Sequence, residues 1–249
     1  MSEKRIDIFR EIVIALVLSL VLVFSLSIET VNAQAGQVTL KPSDDTFVDS
    51  SFQTLTFGGE TILETLNEYH YYGGQFSEVE EVVWLKFELS SVPKGAVIDV
   101  ATLQLYPSNV YGTNDVHAHF CTNYSWTESS LTYSNMPSYN TTSMDSVLVT
   151  VNNQWYNWST VDAVKNALNS NAEAVTVVLR EPSIQNSLVS FESKEAPINL
   201  TDYSPKLTIH WSNVVPEFPT FLILPFFMIA TLLAVIVYEK RQPKISGAL

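Results

Sequence analysis

Two charge-free apolar runs stand at the two ends of this chain, and they divide it into membrane-seeking termini and a foldable middle. Lys4, Arg5 and Arg10 precede Ile12 to Ile28, which ends at Val31, Asn32 and Ala33, a small-residue cleavage pattern. Residues 1–33 are therefore expected to be a secretory signal peptide. At the other end, Phe218 to Tyr238 is free of charge until Glu239. A helix rising about 1.5 Å per residue over that length crosses a hydrocarbon core of roughly 30 Å, so a transmembrane helix is expected over 218–238. Lys240, Arg241 and Lys244 then hold a basic tail, 239–249, in the cytoplasm. With 214–220 as a stalk, the expectation is a single-pass protein of the cell membrane that displays residues 34–213 outside.

The displayed span is large enough for one domain with a real core. It carries twenty Asp plus Glu against seven Lys plus Arg, so the whole net charge of −13 resides there. Such a field repels polyanions and argues against nucleic acid. Cys121 is the only cysteine, which leaves no internal disulfide to brace an exported fold. Four Asn-x-Ser/Thr sequons, at Asn123, Asn140, Asn157 and Asn199, are candidate glycosylation sites.

Period-two alternation dominates the middle. In Val82–Leu89, residues Val83, Leu85, Phe87 and Leu89 point one way, while Val82, Trp84, Lys86 and Glu88 point the other. A turn at Ser91–Gly95 follows, and Val97–Tyr106 resumes with Leu103 and Leu105 inward, so the two segments are expected to pair as antiparallel neighbours. Further strands are expected at 38–40, 46–48, 61–66, 115–121, 147–151, 175–180, 188–192 and 206–211. One short helix is expected where Val161, Val164 and Leu168 share a stripe behind Ser159 or Thr160 as cap. The fold class is all-β, a jelly-roll β-sandwich with one short helix.

Several blocks in order carry a resemblance: Trp84–Ile98, Ala101–Tyr106, Trp126–Pro137, Phe191–Glu195 and Ser204–Thr208. Together they resemble the DNRLRE domain family, which includes the carbohydrate-binding module family 96 proteins and is related to the disaggregatase-related domains of methanogens. The resemblance spans roughly residues 38–211. It implies a jelly-roll sandwich, often appended to polysaccharide-degrading or cell-surface proteins. Val215-Pro-Glu-Phe-Pro219, with its apolar span and basic tail, is similar to the PEF-type carboxyl-terminal sorting signals of archaeal surface proteins, which implies an archaeal envelope protein.

The expected function is non-catalytic binding of a polysaccharide or envelope glycan at the cell surface. A structural or adhesive envelope protein without specific sugar binding is the alternative, and a polysaccharide lyase or hydrolase is a third, for which no local acid–base constellation stands out. Trp84 and Lys86 share the face opposite the core, where an indole beside an ammonium suits stacking on a sugar while donating to its oxygens. Tyr71 and Tyr72 lie in an aromatic stretch, Tyr69 to Phe76, that forms either a stacking rim or a covering hairpin. Asp44, Asp45 and Asp49 offer hard oxygens of the type calcium prefers, and a turn at the first strands explains the same residues. Trp126, Thr132, Tyr133 and Pro137 are expected to be framework.

Overall fold

The computed structural model describes residues 35–197 and 201–212, with Ile229 and Leu233. The signal peptide, Asn199, the stalk, the basic tail and all but two residues of the expected membrane span lie outside the described residues. Among the described residues no helix is long and apolar enough to cross a membrane.

Among the described residues between Gly36 and Ser212, twelve strands and one helix follow one another as β1 (Gly36–Leu40), β2 (Asp44–Asp49), β3 (Ile62–Tyr72), β4 (Gln75–Glu88), β5 (Val97–Leu105), β6 (Pro107–Tyr111), β7 (Asn114–Cys121), β8 (Asp145–Val149), β9 (Tyr156–Ser159), α1 (Val161–Asn169), β10 (Ala174–Arg180), β11 (Leu188–Glu192) and β12 (Lys206–Ser212). They form a four-stranded sheet, β1-β12-β5-β9, and an eight-stranded sheet, β6-β11-β3-β4-β10-β7-β8, with β2 paired to β4. Every pairing is antiparallel.

The expected neighbours β4 and β5 are not paired. β4 bonds β2, β3 and β10 in the large sheet, whereas β5 bonds β12 and β9 in the small one. The Ser91–Gly95 turn therefore crosses between layers: the inward residues of both strands meet across the core, which buries more apolar surface than pairing edge to edge. Val83, Leu85, Phe87, Val177, Leu179 and Phe191 from the large sheet face Leu103, Leu105, Trp158, Leu207 and Ile209 from the small one. Trp158 Nε1 on β9 donates to the Val116 carbonyl on β7 at 2.9 Å and so bonds one layer to the other. The helix α1 adds Ala163, Val164 and Ala167 to the same core. Thr160 stands at its N-cap, but its hydroxyl donates to the Ala101 carbonyl and accepts no hydrogen bond from the first turn of the helix.

A second, smaller core lies on the outer face of the large sheet. Val48, Val82, Trp84, Cys121 and Val178 are covered there by Trp126 and Leu131 from the segment between β7 and β8, with Tyr133, Met136 and Tyr139 at the margin. Residues 82–87 are consequently buried on both faces of β4. Gly58 makes this layering possible, because a Cβ there would stand 2.5 Å from the Glu128 carbonyl oxygen.

Candidate functional site

Trp84 and Lys86 share one face of β4, as their alternation requires, but that face is not open. Trp84 is fully buried, edge-on to Trp126 and Tyr139. Lys86 donates to the Trp126 carbonyl at 2.7 Å and pairs with Asp44 at 2.8 Å. The sugar-binding role expected of this pair is thus overturned: the covering segment occupies the surface a ligand would need. Trp126 is framework, as expected.

The three aspartates do not converge either. Adjacent residues of a strand point to opposite faces. Asp44 accordingly turns to Lys86, while Asp45 accepts from the Lys194 amide at 2.8 Å, and Asp49 Oδ1 accepts from the Ser51 amide at 2.6 Å. Asp45 instead joins Glu128 and Glu195 in a group whose oxygens lie within 4.8 Å of one another. The Lys194 ammonium stands among them, 2.5 Å from Glu128, 3.7 Å from Asp45 and in contact with Glu195. Burial pushes the Asp45 carboxyl up to about 7. In place of the calcium set expected at Asp44, Asp45 and Asp49, Asp44 pairs with its cross-strand partner Lys86, Asp45 enters the Lys194-centred group, and Asp49 accepts from the local Ser51 amide.

The aromatic stretch Tyr69–Phe76 is a hairpin. β3 and β4 are joined by Gly73 and Gly74, both at positive φ, between the paired residues Tyr72 and Gln75. Two consecutive left-handed residues close a two-residue turn without splaying the strands, and glycine adopts them at no steric cost. The register sets Tyr71 opposite Phe76 and Tyr69 opposite Glu78. These three rings form one patch: Phe76 lies 4.9 Å from Tyr71 and 6.5 Å from Tyr69, centroid to centroid. They are 54 %, 65 % and 71 % exposed for Tyr69, Tyr71 and Phe76. Of Tyr72 only the backbone is described. On the hairpin's other face His70 Nε2 pairs with Glu68.

Alternation along β4 carries the face of Phe76 and Glu78 on to Glu80, about 13 Å further. Glu80 forms an ion pair with Arg180 Nη2 at 2.7 Å and accepts from the Tyr133 hydroxyl at 3.2 Å, and Arg180 Nη1 donates to the Tyr139 hydroxyl at 3.2 Å. His119 on β7 donates from Nδ1 to the Asn140 carbonyl at 2.9 Å, which leaves Nε2 as an acceptor. That Nε2 and Arg180 Nε are buried without a hydrogen-bond partner. Burial lowers the His119 pKa and keeps the ring neutral. An exposed aromatic platform thus leads into a polar margin with an arginine, two tyrosines and a carboxylate.

That margin was not legible in the sequence, because Arg180, Glu80, Tyr133 and Tyr139 come from three separate segments. A second missed group gathers Tyr106, Trp155 and Tyr203: Tyr106 stacks on Tyr203 at 4.1 Å, and the Lys206 ammonium lies 4.4 Å from the centre of the Trp155 ring. Of the sequons, Asn123, Asn140 and Asn157 are exposed.

A family model, carbohydrate-binding module family 96, matches residues 36–210. The chain belongs to this family. The match covers both sheets, both cores and the hairpin, so the module is the whole sandwich. A search of curated proteins finds no match to it.

Proposed function

We propose that this family 96 module is displayed at the cell surface on a carboxyl-terminal membrane helix and binds glycans without cleaving them, using the platform of Tyr69, Tyr71 and Phe76. The observation that carries this reading is the exposure of three adjacent aromatic rings on a two-residue hairpin in a carbohydrate-binding family. Rings held this way offer flat apolar faces to a sugar ring at little entropic cost. Glu80, Arg180 and the tyrosine hydroxyls beside them supply donors and acceptors that fix orientation.

The charge balance selects the ligand. Of the seven basic residues of the displayed span, Lys86, Arg180 and Lys194 are each held by carboxylates inside the fold. A polyanion would meet the uncompensated acids, so the ligand is a neutral glycan or one bridged by cations. The surface setting draws support from the apolar run 218–238 and the basic residues behind it.

A glycan array probed with the full-length protein, with and without calcium, tests the reading. Binding to neutral glycans that is lost in the doubly substituted Tyr71→Ala, Phe76→Ala protein supports it. Binding to none, or calcium-independent binding to acidic polymers that salt abolishes, sinks it.

A further inference from the structure

The outward face of the four-stranded sheet is built as a grid. Across β1, β12, β5 and β9 the register aligns Thr39, Thr208, Thr102 and Ser159 in one row. Lys206, Gln104 and Asn157 form the next row on one side, and Gln37, His210 and Val100 the next on the other. The facing is fixed by contacts: Thr39 and Thr208 share a hydroxyl bond of 3.1 Å, and Gln104 Nε2 donates to Asn157 Oδ1 at 2.9 Å. Their neighbours Val38, Leu103, Trp158, Leu207 and Ile209 point into the core. In a span with twenty acidic residues, these three rows contain no carboxylate. Tyr106, Trp155 and Tyr203 close the grid at the Lys206 end, with Tyr203 36 % exposed.

We infer that this face is a second glycan-binding site, so that one module holds two glycan chains on opposite outer faces of the sandwich. The inference rests on the carbohydrate-binding reading above. Its chemistry suits an uncharged, extended polysaccharide. Hydroxyls and primary amides both donate and accept, matching the paired donor and acceptor character of sugar hydroxyls. Strands stand about 4.8 Å apart, close to the advance of one unit in an extended β-linked chain, so a chain lying across the strands meets a fresh set of polar side chains at each sugar. The aromatic group supplies the apolar stacking surface at the end of that path. The carboxylates that flank the rows are already engaged by the protein: Asp145 accepts from the Ser159 amide at 2.7 Å, and Asp202 pairs with Lys41. A module with two such faces cross-links glycans rather than merely adhering to one.

The test uses the full-length, unglycosylated protein with soluble neutral polysaccharides (hydroxyethyl cellulose, xyloglucan and galactomannan) and their oligosaccharides. Calorimetry should give two oligosaccharides per protein, and turbidity with the long polymer should peak at an intermediate ratio. Trp155→Ala with Tyr203→Ala should halve the stoichiometry and abolish turbidity while the remaining site keeps its affinity. Thr208→Glu, a surface change that leaves the core intact, should do the same. A wild-type stoichiometry of one that is lost with Tyr71→Ala, Phe76→Ala overturns the second site and leaves the hairpin reading standing. All binding lost with Trp155 and Tyr203 instead moves the single site to this face and overturns the two-chain inference together with the hairpin assignment. No binding by any form defeats both readings.

Discussion

Lys86 reaches through the outer layer of the large sheet to donate its ammonium to the Trp126 carbonyl at 2.7 Å, with the indole of Trp126 5.1 Å from the same nitrogen. Asp44 neutralises it at 2.8 Å. A charge so placed is a fastening for the covering segment. Removing it leaves the Trp126 carbonyl without its donor and Asp44 without its counter-charge, holding only the Glu128 amide at 3.2 Å, so Lys86→Ala should cost roughly 2–4 kcal/mol. Urea denaturation measures it. A cost below about 0.5 kcal/mol would mean the side chain is solvated and the outer layer loose.

Because residues 82–87 of β4 are buried on both faces, alanine substitution should be costly at successive positions rather than at every second one. Phe87→Ala, in the main core, and Trp84→Ala, in the outer core, should each lose about 3–5 kcal/mol. A strand with one wet face would show a loss only for Phe87.

Gly58 packs against the Glu128 backbone with no room for a methyl group. Gly58→Ala should destabilise by about 1–3 kcal/mol through overpacking. Gly59, where a Cβ meets nothing within 4 Å, is the matched control. Equal melting temperatures for Gly58→Ala and Gly59→Ala would refute the close approach.

Stability should fall as pH rises. Burial pushes Glu181 from its ordinary 4.5 up to about 7, and Glu81 up to about 8. An acid whose pKa is raised on folding holds its proton more tightly in the native state, so its favourable share is complete below about 4.5 and is lost as pH climbs through 7. Glu181 is fully buried, with the Ser187 hydroxyl donating to it at 2.9 Å. Glu181→Gln keeps the shape and removes the titration. Thermal melts at pH 5 and pH 8.5 should show the wild type losing about 2–3 kcal/mol more than the variant over that interval. Parallel pH profiles would exclude Glu181 as the source.

At the hairpin, Tyr71→Ala should weaken glycan binding about five- to tenfold, the scale of one lost stacking contact, without moving the melting temperature. Raised ionic strength should change the wild-type affinity little, since stacking carries no net charge. Calorimetry in low and high salt distinguishes this from charge-driven binding.

What the sequence determined by itself is local. Alternation assigned the inward residues of β4 and β5 and separated Trp84 and Lys86 from Leu85 and Phe87, because successive strand side chains must point apart. The 3.6-residue stripe placed α1, and Tyr-Tyr-Gly-Gly marked a flexible joint that is the turn of a hairpin. Nothing in a period of two says what lies beyond each face. Only the tertiary structure decided that β4 and β5 belong to different sheets, that the face of Trp84 is covered, and that the three aspartates serve separate partners. Lys86 meets Trp126 40 residues away, and Asp45 meets Lys194 149 residues away. Such contacts arise from which apolar faces can be closed together, a property of the whole chain rather than of any segment. The exposed hairpin platform was visible because its rings lie within eight residues of one another. The grid of hydroxyls and amides on the small sheet was not, because its rows exist only once β1, β12, β5 and β9 are set in register.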